Sequence, residues 1–324
     1  MLKTLAFAAF ASVLSLTAAT AAEPLKVVAS FSIIGDLAKN VGGDRVEITT
    51  LVGPNGDAHV YEPRPADAAA LSSAAIVLVN GAQFEGFLPR LVEASGSKAP
   101  VVEVSKGIEL LKSEEEHHHG EEAHEGGHDD AHDEKEAEAG HDHGHHHGAF
   151  DPHAWQSVAN AQVYVTNIAA AFCAADAAGC DAYKANANAY NQKLASLDAE
   201  IRADVAAIPA DKRTIITSHD AFGYFEHAYG LKFIAPEGVS TDAEASAADV
   251  AALIRQVRED KAAAIFVENI TNANLINQIA SETGLKVGGE LFSDALSDAN
   301  GPAATYVDMM RHNIETIRGA ILGS

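Results

Sequence analysis

The chain's main chemical resource is histidine, 16 residues in all, distributed in two ways. Eleven crowd into one stretch: His117, His118, His119, His124, His128, His132, His141, His143, His145, His146 and His147. Most of the residues between them are Glu, Asp, Gly and Ala. Neutral imidazole is the commonest protein ligand for late first-row divalent metals. Imidazoles among carboxylates make an accessory site of high capacity and low affinity for zinc, with copper and nickel as competitors. A solvated acidic linker is the plainer reading. Glu and Asp alone would solvate a linker, however, and triple-histidine runs add nothing to solubility.

The other five, His59, His153, His219, His227 and His312, stand alone. Three of them fall where a strand or loop gives way to the next element. His59 lies in a loop after a β run, His153 at the mouth of a helix, and His219 just past a strand. A lone histidine is usually a hydrogen-bonded structural residue, but three at such positions, in a chain with a histidine store, point to one metal site. Tetrahedral zinc needs a fourth ligand. Asp294, in Leu291–Leu296, follows a strand and can supply it; its alternative role is a helix N-cap. Asp57 and Glu62 flank His59 as supporting or substitute carboxylates. His227, two helical turns beyond His219, reads as structural or surface, and His312 as solvent-exposed. Trp155, Phe222 and Phe225 are expected to wall the site and exclude water, although core packing explains them equally well.

These residues need elements to hold them. Residues 1–22 read as a secretory signal: a basic start at Lys3, an apolar run from Leu5 to Leu16 and small residues up to Ala22. No cysteine follows that cut, so the expectation is a periplasmic protein without a lipid anchor. No other long apolar run is evident. The remaining chain suffices for two ordinary domains. Formal net charge is -24. Between Lys112 and Gly148, 13 acidic residues against two lysines supply eleven of those charges. Nucleic acid and anionic lipid are therefore poor partners and cations good ones.

Strands alternate with helices from Leu25–Phe31 onward, which argues for an α/β protein with parallel sheets. Early expectations include a helix over Ile33–Val41, a strand over Val46–Val52 and a helix over Phe84–Ala94. Residues 113–148 read as a disordered acidic, histidine-rich loop. Trp155–Ala207 is helical with one break, and Tyr183–Ile208, about 35 to 40 Å long, reads as a rigid spine. The βα rhythm then resumes, with strands at Arg213–Thr217, Leu231–Ala235, Ala263–Val267 and Lys286–Glu290. The domain reading is an N-terminal lobe over 23–150, a helical linker over 151–210 and a C-terminal lobe over 211–324. Only Cys173 and Cys180 are available as thiols. In one continuous helix their Cα atoms would lie about 10.5 Å apart, too far for a disulfide. A turn at Ala174–Gly179 would bring them together, so a structural disulfide is expected, with two free thiols as the alternative.

The segments DAHVYEPRPAD, DPHAWQS, TSHDAFGYF and LFSDALS, in this order and spacing, resemble the metal-binding solute-binding proteins of ABC importers, the zinc-specific ZnuA type. The resemblance covers essentially all of the mature chain, including the histidine-rich insertion. It implies two (β/α)4 lobes with parallel sheets, a rigid linking helix and one buried metal between the lobes. Carried over residue by residue, the ligands are His59, His153, His219 and Asp294. Manganese-binding relatives resemble this pattern but place a glutamate where His219 stands. Ala58 departs from the proline that many relatives have there, which implies a small change in loop stiffness.

The function expected is capture of Zn2+ and delivery to an ABC permease with its ATPase. A periplasmic zinc metallochaperone is a further candidate partner, and the protein is expected to act as a monomer. Four protein ligands leave no open position for water, so the site binds and does not catalyse. The rival readings are a Mn2+ or Fe2+ importer component, a metal-buffering or adhesion protein, and a zinc hydrolase. The hydrolase lacks a His-Glu-x-x-His run and a nucleophile elbow.

Overall fold

The computed structural model describes residues 23–113, 149–243 and 245–323. The signal segment and the eleven-histidine tract, His117 to His147, lie outside the described residues.

The chain forms two four-stranded parallel sheets. In the first, β1 (Leu25–Phe31), β2 (Val46–Val52), β3 (Ile76–Val79) and β4 (Val101–Glu103) lie in the order β2-β1-β3-β4. In the second, β5 (Thr214–Ile216), β6 (Lys232–Ile234), β7 (Ala264–Glu268) and β8 (Val287–Leu291) lie in the order β6-β5-β7-β8. All pairs are parallel. Central β1 and β3 are nearly continuous apolar, buried runs, as strands covered on both faces must be. Edge strand β4 alternates exposed and half-buried positions.

Helices α1 (Ser32–Gly42), α2 (Pro65–Ser73), α3 (Leu88–Ser95) and α4 (Val158–Ala175) complete the first lobe. Helices α6 (Gly223–Tyr229), α7 (Ala247–Asp260), α8 (Ala273–Thr283) and α9 (Tyr306–Leu322) complete the second. Gly35 lets α1 approach the sheet, since a Cβ there would sit 2.6 Å from Thr50 Oγ1. Helix α7 starts on a reciprocal capping box between Ser246 and Asp249.

The connector α5 (Cys180–Ala207) has 28 residues and is about 42 Å long. It packs on α1 and α4 of the first lobe and on α9 and α6 of the second. One apolar core consequently runs through both lobes, from Val27 to Ile321. A smaller cluster under α7 and α8, including Ile216, Leu253 and Ile279, sits on the outer face of the second sheet.

Three expectations need revision. Helix α4 is 18 residues long and apolar, a run the sequence reading passed over; its Val158, Tyr164, Ile168 and Phe172 are buried, so it is a core helix. It packs on β3 and α1, which makes it part of the first lobe and leaves α5 as the link. Helix α3 starts at Leu88, not Phe84. Before it, Glu85 turns inward and accepts hydrogen bonds from Ser30 Oγ (2.7 Å), Asn80 N (2.6 Å) and Gly81 N (3.2 Å). Ala82 and Gln83 take left-handed φ values of 50° and 64° to make that turn. The expected break between α4 and α5 is present, and Cys173 and Cys180 are disulfide-bonded across it.

Candidate metal centre

In each sheet the chain reverses its direction of strand addition beside the first strand, at β1/β3 and at β5/β7. Ligands of open α/β sheets bind outside the carboxyl ends of strands at such points. The four expected residues gather there. His59 follows β2, His219 follows β5, Asp294 follows β8, and His153 lies in the turn before α4.

His59 Nε2 lies 3.3 Å from His153 Nε2 and 3.2 Å from Asp294 Oδ2. His219 Nε2 is 3.2 Å and His153 Nε2 3.5 Å from the same carboxylate oxygen. All four donor atoms fall within 4.8 Å of one another. A tetrahedral ion with bonds of about 2.0–2.1 Å sets its donors about 3.3–3.4 Å apart, so these four contacts match tetrahedron edges. Asp294 Oδ1 is buried with no hydrogen-bond partner among the described residues. A buried carboxylate oxygen in that state suits a cation. Asp294 is not a helix cap; the nearest helix, α9, is capped by Thr305.

Each of the four side chains is braced from behind. His153 Nδ1 lies 2.8 Å from Asp151 Oδ1, which also accepts the His153 backbone N–H at 2.8 Å. His219 Nδ1 lies 2.7 Å from Glu268 Oε2. Neither atom has a hydrogen-bond partner elsewhere among the described residues. Glu268 Oε1 accepts the backbone N–H groups of Ser218 (2.7 Å) and His219 (2.9 Å). Carboxylates on Nδ1 fix the ring orientation and turn Nε2 toward the cluster. The carbonyl beside Asp294, Ser293 O, accepts from Trp155 Nε1 (2.9 Å) and Gln156 Nε2 (2.8 Å). Asp57 Oδ1 accepts the His59 N–H at 2.8 Å, and Glu62 is exposed and outside the cluster. Glu268 and Asp151 had no assigned role in the sequence. The signal for Glu268 was its place at the carboxyl end of β7; for Asp151, its spacing of two from His153.

Electrostatics follow from this crowding. Burial disfavours charge on His153, but the Asp294 charge and the hydrogen bond that His153 donates to Asp151 outweigh it and raise its pKa to about 9. His219 is likewise opposed by burial, yet Glu268 and Asp294 hold it well above the usual imidazole value. Burial would raise Asp294, and the charges on His153 and His219 instead keep it well below the carboxylate range. Protons thus neutralise the carboxylates until a divalent cation replaces them.

The apolar wall differs in part from expectation. Trp155 is buried, with its ring 5.3 Å from that of His153. Phe84, which the sequence reading missed, lies 4.8 Å from His59 and 4.9 Å from Trp155. The inward turn at Glu85 places it there. Phe222 and Phe225 pack on Phe233 and belong to the second lobe's core. His227 is exposed, as expected. His312 is not solvent-exposed: it is half-buried, 3.0 Å from Glu290 O, with its ring 5.3 Å from Phe292.

Residues 27–320 match the family described as zinc-uptake complex component A, periplasmic (ZnuA). The chain belongs to this family. ZnuA-family proteins are non-enzymatic substrate-binding components that partner an ABC permease and its ATPase. The chain is 34% identical over 294 residues to the manganese-binding lipoprotein MntA of Halalkalibacterium halodurans, covering 91% of this chain and 87% of that one. It is 32% identical over 316 residues to the iron-binding protein YfeA of Yersinia pestis, covering 95% and 92%. Among solved structures, the periplasmic zinc binding protein TroA from Treponema pallidum superposes with a TM-score of 0.79 at 31% identity, covering 93% and 99%. The metals named for these relatives are mixed. The expectation of a protein without a lipid anchor is overturned: the MntA relatives of H. halodurans and Bacillus subtilis are both lipoproteins by name. Cysteine position alone was too narrow a ground for it. Placement on the outer side of the membrane stands.

Proposed function

We propose that this chain captures Zn2+ between its lobes, with His59, His153, His219 and Asp294 as ligands, and delivers it to its permease. The observation that carries this reading is the donor set: three imidazole Nε2 atoms and one carboxylate oxygen within 4.8 Å of one another, four of their six separations near the edge length of a tetrahedral zinc site. Imidazole-rich tetrahedral sites suit zinc, whereas sites richer in oxygen and of higher coordination suit Mn2+. The proposal includes action as a monomer and loading by a periplasmic metallochaperone. The histidine tract is assigned low-affinity collection of the metal.

The second reading is a manganese- or iron-import component, favoured by the metals named for MntA and YfeA. Metal analysis and competition titration decide between them. Wild type is expected to hold one tight Zn2+ against excess Mn2+. His219→Ala should lose that ion, and deletion of residues 113–148 should keep it. A wild type that prefers Mn2+ would overturn the zinc assignment.

A further inference from the structure

The ligand loops of the two lobes are joined outside the metal cluster by a second, indirect route. Asp57 uses one carboxylate oxygen on the His59 N–H and the other on Thr241 Oγ1, at 2.8 and 2.6 Å. Thr241 belongs to the β6–α7 loop of the second lobe. That loop is laced to the His219 loop a few residues earlier. His219 and Glu237 form a parallel bridge, Asp220 N donates to Gly238 O at 3.1 Å, and Glu237 N donates to Ser218 O at 3.4 Å. A circuit of hydrogen bonds therefore runs from His219 through the β6–α7 loop to Thr241, then through Asp57 to His59.

His59 is the ligand a departing ion would leave by. Its side chain keeps 6% of its surface exposed, whereas those of His153, His219 and Asp294 are at 0%. The stem of its loop is tied elsewhere: Asn55 N donates to Leu296 O at 2.9 Å, and Asn269 Nδ2 donates to Asn55 Oδ1 at 3.2 Å. Outside the metal cluster, Asp57–Thr241 joins the immediate neighbourhood of His59 to the far wall of the cleft.

We propose that the Asp57–Thr241 hydrogen bond is a latch that sets the rate at which the buried metal leaves, with Thr241 a positioning residue acting on His59 through Asp57. This rests on the reading of His59 as a ligand. Breaking the latch frees the His59 backbone to swing outward without disturbing the ligands supplied by the other three loops. The bond to a charged acceptor implies about a tenfold or greater change in release rate when the hydroxyl is lost.

The test uses the full chain loaded with one equivalent of Zn2+, and follows transfer to excess chelator by stopped flow. Thr241→Val removes the hydroxyl at constant shape, and Thr241→Ser restores it. Expected are release about tenfold faster in Thr241→Val, near wild type in Thr241→Ser, with one Zn2+ per chain and an unchanged metal-free melting temperature in both. A structural role alone would lower the melting temperature instead. Equal release rates in wild type and Thr241→Val, or a Thr241→Ser variant as fast as Thr241→Val, overturn the latch while leaving the metal site standing. A wild type with no tight Zn2+ overturns the site reading itself, and the latch with it.

Discussion

Asp36 sits where three helices meet, and replacing it should change how stability responds to pH. From α1 it accepts the backbone N–H of Tyr306, the first residue of α9, at 3.0 Å, and faces Tyr190 Oη of α5 at 3.5 Å. Asn40 Nδ2 donates to its other oxygen at 3.2 Å. Burial among these helices dominates and pushes its pKa from 3.8 to about 6; the Tyr306 and Tyr190 bonds pull the other way, and Asp308 adds to the rise. The folded state therefore binds this proton more tightly than the unfolded state does. Stability is highest below the unfolded value and falls as pH rises through about 6. At about 1.4 kcal/mol per unit, the full penalty is about 3 kcal/mol near pH 8 and about 1 kcal/mol near pH 4.5. These are upper figures, because Asp36 retains some solvent contact. Asp36→Asn keeps an acceptor for Tyr306 and cannot ionise. In urea titrations of metal-free protein, the stability of Asp36→Asn relative to wild type should rise by up to about 2 kcal/mol between those two pH values. A difference that stays constant with pH, or that shifts in favour of wild type as pH rises, would refute the reasoning.

Two other substitutions probe the site and the connector. Glu268→Gln keeps the shape behind His219 but removes the charge facing Nδ1; zinc affinity should fall about 10- to 100-fold by calorimetry, with circular dichroism unchanged. Replacing Cys173 and Cys180 together by serine opens a loop with a sequence separation of 7 and should lower stability by about 2 kcal/mol in denaturant titration. Because Cys173 lies about 23 Å along α4 from its start at Val158, metal stoichiometry should not change.

Much of this was legible in local pattern. Apolar runs bounded by turn residues located the strands, and the chemistry sits at the loops that follow them. His59, His219 and Asp294 could be picked out because each follows a strand. What was not legible depends on pairings between distant segments. The inward turn of Glu85 is stabilised by Ser30, 55 residues earlier, and that turn both delays α3 and brings Phe84 to the site. Glu268 meets His219 across a strand pair; its place at the carboxyl end of Ala264–Glu268 hints at a site, but the partner it meets there is set by the pairing of distant strands. Phe222 and Phe225 looked equally suited to wall or core, and Phe233 decided the matter. His312 sat among polar neighbours in sequence, yet helix α9 turns it toward Glu290.

The apolar core that continues from β1 to α9 through the connector bears on how a membrane partner recognises its cargo carrier. Wide opening of the lobes would expose that shared interior, so loaded and empty molecules should differ mainly in loop posture. A permease then has only a small patch by which to tell them apart, and empty molecules occupy the same docking seat as loaded ones. Import should follow the ratio of loaded to empty carrier as well as the amount of loaded carrier. Metal-free protein added to a reconstituted transporter should slow uptake; unchanged uptake would mean that the two forms present more distinct faces than the shared core allows.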